Sequence, residues 1–102
     1  MKPNSKLDSK PELGTWDQVE AGLGNPCRLR ILRTLMRSPS KPLTKHLLQK
    51  YTLLNPREVK KHLEVLVDLG WLEETPYKPK KYRINQQNED VRRLMEFLKP
   101  YL

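Results

Sequence analysis

The chain has 102 residues, of which 36% are hydrophobic and 31% charged, with twenty Lys and Arg against twelve Asp and Glu. That length predicts one domain with a single modest core, and the high charged fraction predicts that part of the chain stays in solvent. No apolar run approaches the ~20 residues a membrane span needs, no secretory leader pattern is present, and the lone Cys27 excludes an internal disulfide. The expectation is a soluble cytoplasmic protein with no membrane partner.

The net charge of +8 is spread unevenly. Residues 26–63 hold ten Lys and Arg against Glu58 alone, residues 64–75 carry four acids and no base, and residues 76–83 four bases and no acid. An excess confined to one block and one short loop points to a polyanionic partner more than to a general solubilising surface.

Residues 1–14, "MKPNSKLDSKPELG", are polar, hold two prolines and show no period, so they read as a flexible basic arm. Residues 15–102 form the domain. Thr15 opens a short first helix, taken as 15–22, with Trp16, Val19 and Leu23 on one side. Asn25-Pro26 starts a second: a capping side chain, then a proline where no amide donor is missed. That helix, "PCRLRILRTLMR", buries Leu29, Leu32, Leu35 and Met36, and Arg30, Arg33 and Arg37 form a separate stripe. Thr44 caps a third helix, "KHLLQKY", with Leu47, Leu48 and Tyr51 facing inward.

Asn55-Pro56 repeats the start signal and opens a fourth helix over 56–69. It buries Val59, Leu63, Leu66, Val65 and Leu69 and stops at Gly70. "WLEE" and "KYRI" pair as two short strands around the loop "TPYKP". Asn88 caps a last helix over 89–99, with Val91, Leu94, Met95 and Leu98 as its stripe. The fold class is therefore mainly α with a small β-hairpin: two helices joined by a tight turn and followed by a hairpin make a winged helix-turn-helix.

The stretches "LGNPCRLRILRTL", "LNPREVKKHLEVLVDLGWLEE" and "KKYRI" resemble the ArsR-like (arsenic repressor type) winged helix-turn-helix transcriptional regulators. Val59, His62, Leu63, Val65, Leu66 and Gly70 stand at that family's expected places. The likeness covers roughly Leu23 to Ile84. It departs from the pattern at Gln49, where a small residue is usual, and at Leu53, where the turn usually has glycine. It also lacks the Cys pair of the metal sensors, since that segment reads "LTKHLLQ", so no metal site of that type is expected.

The resemblance implies that the fourth helix lies in the major groove of double-stranded DNA. Arg57, Lys60, Lys61 and Glu64 share the face opposite Val59, Leu63 and Leu66. Arg57 and Lys60 are candidates for base edges, because both side chains pair with guanine acceptors there. Lys61 is a candidate phosphate contact, and Asn55 is better employed as a cap. Arg28 and Lys45 are phosphate candidates by their place in the motif. The wing, 75–83, offers Lys78, Lys80, Lys81 and Arg83 to backbone or minor groove, although Lys-rich hairpin loops also protect edges and aid solubility. The acidic run from Glu64 to Glu74 is expected to sit away from DNA. His62 reads as a structural residue and Cys27 as a small packed one, with redox control of Cys27 the alternative.

The terminal helices carry more apolar surface than one domain needs to cover. Trp16, Val19, Leu94, Met95, Leu98 and Tyr101 are the candidate homodimer interface. No nucleophile stands beside a base, no glycine loop suits phosphate, and no metal-ligand cluster is visible, so neither an enzyme nor a cofactor is expected, and no small-molecule effector is identifiable. The reading is a DNA-binding transcriptional regulator, semi-specific or sequence-specific and nucleoid-associated. The alternative is a winged-helix module for protein–protein contacts in a larger assembly. That alternative predicts acidic or apolar residues on the fourth helix.

Overall fold

The computed structural model describes residues 15–102, and the arm assigned to residues 1–14 lies outside that range. In chain order the elements are α1 (Trp16–Leu23), α2 (Pro26–Met36), β1 (Leu43–Thr44), α3 (Lys45–Thr52), α4 (Pro56–Asp68), β2 (Leu72–Glu74), β3 (Lys81–Ile84) and α5 (Glu89–Leu98), closed by a 3-10 turn at Lys99–Tyr101. All five α-helices start at the caps expected of them, with the Asn25 side chain accepting from Cys27 N at α2. The Thr15 side chain accepts from Gln18 N, that of Thr44 from Leu47 N, that of Asn55 from Glu58 N and that of Asn88 from Val91 N. Each such cap is worth about 1 kcal/mol. The last helix ends one residue earlier than expected, because Pro100 has no amide to continue it.

The sheet has three strands in the order β1-β3-β2, all antiparallel, where the sequence predicts a two-stranded hairpin. β1 contributes only Leu43 and Thr44, opposite Tyr82 and Lys81. Two residues are too few to show an alternating pattern. Their pairing ties the entry of α3 to the wing.

The core is built on α2 and α4. Ile31, Leu32, Leu35 and Met36 meet Leu48, Val59, Leu63, Leu66, Trp71, Leu72, Ile84 and Val91. Ile31 is fully buried and Leu29 only half-buried, the reverse of expectation, since α2 touches α1, α3, α4 and β3 and is covered over a wide arc. Val65 and Leu69, expected inside, are half-buried. Tyr51 is 56% exposed, a correction to its inward assignment. The buried row of α3 runs through Leu48 and Thr52, and Tyr51 falls beside it on the rim of a groove with Thr34, Arg37, Ser38, Lys41 and Leu43.

Two chain reversals fix α4. The first is the turn from α3, where Leu53 takes a left-handed conformation (φ 63°) and donates to Gln49 O, closing α3 as a glycine normally does. A leucine there carries a strain of about 1–2 kcal/mol, and its side chain is 88% exposed. The second is the stop. Gly70 (φ 80°) donates to Val67 O and Trp71 donates to Leu66 O, a Schellman closure with the apolar residue that follows it buried. Trp71 packs so closely on α1 that a Cβ at Gly22 would lie 2.3 Å from its ring.

Candidate nucleic-acid interface

α4 presents one face to the core and the other to solvent. Val59, His62, Leu63 and Leu66 are buried, whereas Arg57, Lys60, Lys61 and Glu64 are exposed. Asn55 caps the helix through Oδ1, 2.8 Å from Glu58 N, so that oxygen is engaged in the fold. Among the described residues Arg57 and Lys61 make no ion pair, and Lys60 makes only a long one to Glu64, 3.9 Å. Both partners of that pair are 66% exposed, where such contacts contribute little.

The hairpin holds its charge differently. Thr75 closes its base, its amide donating to Lys81 O and its hydroxyl accepting from Lys81 N. Lys80 Nζ lies 3.7 Å from Glu74, and Arg83 Nε donates to Glu73 at 2.9 Å. Glu73 and Glu74 therefore stand inside the wing and pair with two of its cations. Register is the cause: Glu73 pairs with Arg83 across the ladder and Glu74 with Tyr82. Lys78 and Lys81 have no carboxylate partner among the described residues. Burial, reinforced by Glu74 and Glu64, pushes the Tyr82 phenol above its ordinary value of 10.0.

Of the two phosphate candidates outside these elements, Lys45 stands at the first position of α3 without an ion pair among the described residues. Arg28 is turned inward. Its Nε donates to His62 Nδ1 at 3.0 Å and its Nη1 to Ala21 O, so one guanidinium joins α1, α2 and α4. These two bonds employ Nε and Nη1 of this phosphate candidate within the fold. The burial of His62 beside the core gave it that partner, and nothing in the chain order announces the contact.

The fold also assembles a group that the sequence reading did not see. Cys27, Glu58 and His62 bring one ligand atom each to within 4.8 Å of one another. His62 Nε2 faces Glu58 Oε1 at 3.1 Å.

The candidate dimer residues divide in two. Leu94, Met95 and Leu98 are half-buried against the chain's own core, while Trp16 and Tyr101 are 70% and 63% exposed. Val19 is half-buried. Phe97, 70% exposed, lies beside Tyr101 with ring centroids 6.4 Å apart and planes tilted by 48°. Met36, Met95 and Leu102 line a groove of about 700 Å³ rimmed by Glu89, Arg92 and Lys99.

No protein-family model and no curated protein matches the chain. Solved structures do. A fragment (1–100) of Mb0332 from Mycobacterium bovis, described as a homodimeric winged helix-turn-helix DNA-binding domain of a possible ArsR-family transcriptional regulator, is 25% identical with a TM-score of 0.66, over 99% of this chain and 89% of that one. The fold is an ArsR-like winged helix-turn-helix. The predicted DNA-binding transcriptional regulator from E. coli aligns at 24% identity over 95% of this chain and 97% of its own, TM-score 0.72. The transcriptional repressor BigR from Xylella fastidiosa shares the winged helix at 17% identity and 97% of both chains, TM-score 0.71. In the terms of that fold α3 and α4 are the helix-turn-helix and β2–β3 the wing. Among the described residues no helix is long and apolar enough to cross a membrane.

Proposed function

We propose that this protein binds double-stranded DNA as a homodimer and acts as a transcriptional regulator, with α4 in the major groove and the wing on flanking backbone. The observation that carries the reading is the exposed first half of α4, where Arg57, Lys60 and Lys61 share a face on a helix held at both ends. A pre-set helix loses little freedom on docking, so its cations act on bases and phosphates at little entropic cost. The similar Mb0332 fragment is a homodimeric DNA-binding domain, which supports the same use of the fold.

In this reading Arg57 and Lys60 meet base edges and Lys61 meets phosphate, with Lys45, Lys78 and Lys81 as further backbone contacts. Lys80 and Arg83 contribute less, being paired already. Trp16, Phe97 and Tyr101 supply exposed aromatic surface to the second copy, and Leu94, Met95 and Leu98 form its floor. The protein–protein alternative fits poorly with a basic α4.

Fluorescence anisotropy with a random-sequence duplex at several salt concentrations tests the reading. Affinity should fall steeply with salt, as when on the order of six to ten phosphates are neutralised. Absence of binding at low salt would overturn it.

A further inference from the structure

We propose that Cys27, Glu58 and His62 form a site for a zinc-class divalent cation that clamps the first turns of α4 to the start of α2. The three residues come from two helices. Glu58 and His62 are one turn apart on α4 and therefore reach the same point. Cys27 lies in the first turn of α2, fixed by its amide donating to Asn25 Oδ1 at 2.8 Å. A thiolate, an imidazole and a carboxylate make a donor set suited to zinc, and three protein ligands leave the fourth position open to water or another ligand.

The geometry is close to that of a loaded site. Bonds of about 2.0–2.3 Å in a tetrahedron separate ligand atoms by roughly 3.3–3.8 Å. Glu58 Oε1 and His62 Nε2 are already 3.1 Å apart, and all three ligand atoms fall within 4.8 Å. A shift of about 1 Å by the Cys27 and Glu58 side chains would complete the set. Neither is locked in the core: Cys27 is half-buried and the Glu58 side chain is 39% exposed. His62, 1% exposed, supplies the rigid corner.

Proton placement couples the site to Arg28. Because Nδ1 of His62 accepts from Arg28 Nε, the ring proton sits on Nε2 and points to Glu58. A cation bound at Nε2 moves that proton to Nδ1, where a donor then faces the Arg28 donor and their hydrogen bond is lost. The thiol proton leaves to solvent, so one proton is released per ion bound. Loading thus detaches Arg28 from α4 while it ties Cys27 to α4. On α4, Lys60 falls opposite this pair, whereas Lys61, three residues from Glu58, flanks it on the exposed side. The site and its chemistry do not depend on the DNA-binding reading.

Cobalt(II) titration of the untagged protein, without DNA, is the test. Thiolate-to-cobalt absorption should saturate at one ion per chain and be displaced by zinc. Zinc at about a hundredfold its dissociation constant should raise the melting midpoint by roughly 10 °C. Cys27→Ser should abolish the absorption band, and Glu58→Gln should weaken cobalt binding roughly tenfold or more. Metal-free melts of both variants check that each still folds. Absence of the band in the parent protein, or equal cobalt affinity in the parent and both variants, would overturn the proposal and leave His62 as a hydrogen-bonded core residue.

Discussion

On α4, Arg57 and Lys61 extend from a helix capped at both ends and meet no carboxylate among the described residues. On the hairpin, Lys80 lies 3.7 Å from Glu74 and Arg83 2.9 Å from Glu73. Both regions are basic by count, yet a polyanion approaching them meets different things. At the helix it displaces water and small ions. At the wing it must compete with acids that the strand register holds in place. Charge counted along a chain therefore overstates the wing and understates the helix, because a cation's availability depends on what is paired with it.

The sharpest way to break this comparison is to reverse charge on the helix. Arg57→Glu with Lys61→Glu should lower duplex affinity by on the order of a hundredfold or more and reduce the salt slope by about two. Anisotropy titrations across salt measure both, and an unchanged slope would remove α4 from the interface. The joint between the two regions is Trp71, which follows α4 and packs on Gly22. Gly22→Ala should destabilise the domain by about 1–3 kcal/mol through overpacking, read as a lower denaturation midpoint.

Releasing the wing cations is the complementary experiment. Glu73→Gln with Glu74→Gln should raise duplex affinity severalfold while changing stability by less than about 1 kcal/mol, the usual range for exposed pairs. An affinity no higher than the parent's would show that the hairpin does not touch the duplex. At the entry to α4, Leu53→Gly relieves the left-handed strain and loosens the unfolded chain, so a net gain of about 0.5–1 kcal/mol is expected by chemical denaturation.

The smallest effect concerns pH. Tyr82 holds its proton more tightly when folded than when unfolded. Its contribution to stability is thus complete below the unfolded value of 10.0 and is lost as pH rises from there through the folded value. Tyr82→Phe should flatten that alkaline decline in a melting series.

Most of the architecture could be read from local chemistry. Asn25-Pro26, Asn55-Pro56, Thr15 and Asn88 mark helix starts with side chains that act within three residues, so no tertiary information is needed. The Gly70 stop and the two hairpin strands are equally local, although β2 begins at Leu72, one residue into the expected "WLEE". What escaped depends on packing. β1 exists only because Tyr82 and Lys81 lie opposite it. Tyr51 turns out because Leu48 and Thr52 take the inner row, and Ile31 turns in because α2 has several neighbours. The exposed face of α4 was legible from helical spacing. The inward turn of Arg28, and the meeting of Cys27 with Glu58 and His62, required the docking of two helices some thirty residues apart in sequence.

Asn88 does two jobs with one side chain. Its Oδ1 caps α5 at Val91 N, and its Nδ2 donates to Gly70 O, which also accepts from Asn85 Nδ2. The end of α4 and the beginning of α5 are therefore pinned to one carbonyl. In the proposed dimer that carbonyl works as a fixed pivot, and the distance between the two reading helices follows from how the α5 helices meet. The permitted gap between DNA half-sites would then be a property of the joint at Gly70 as much as of the dimer interface itself.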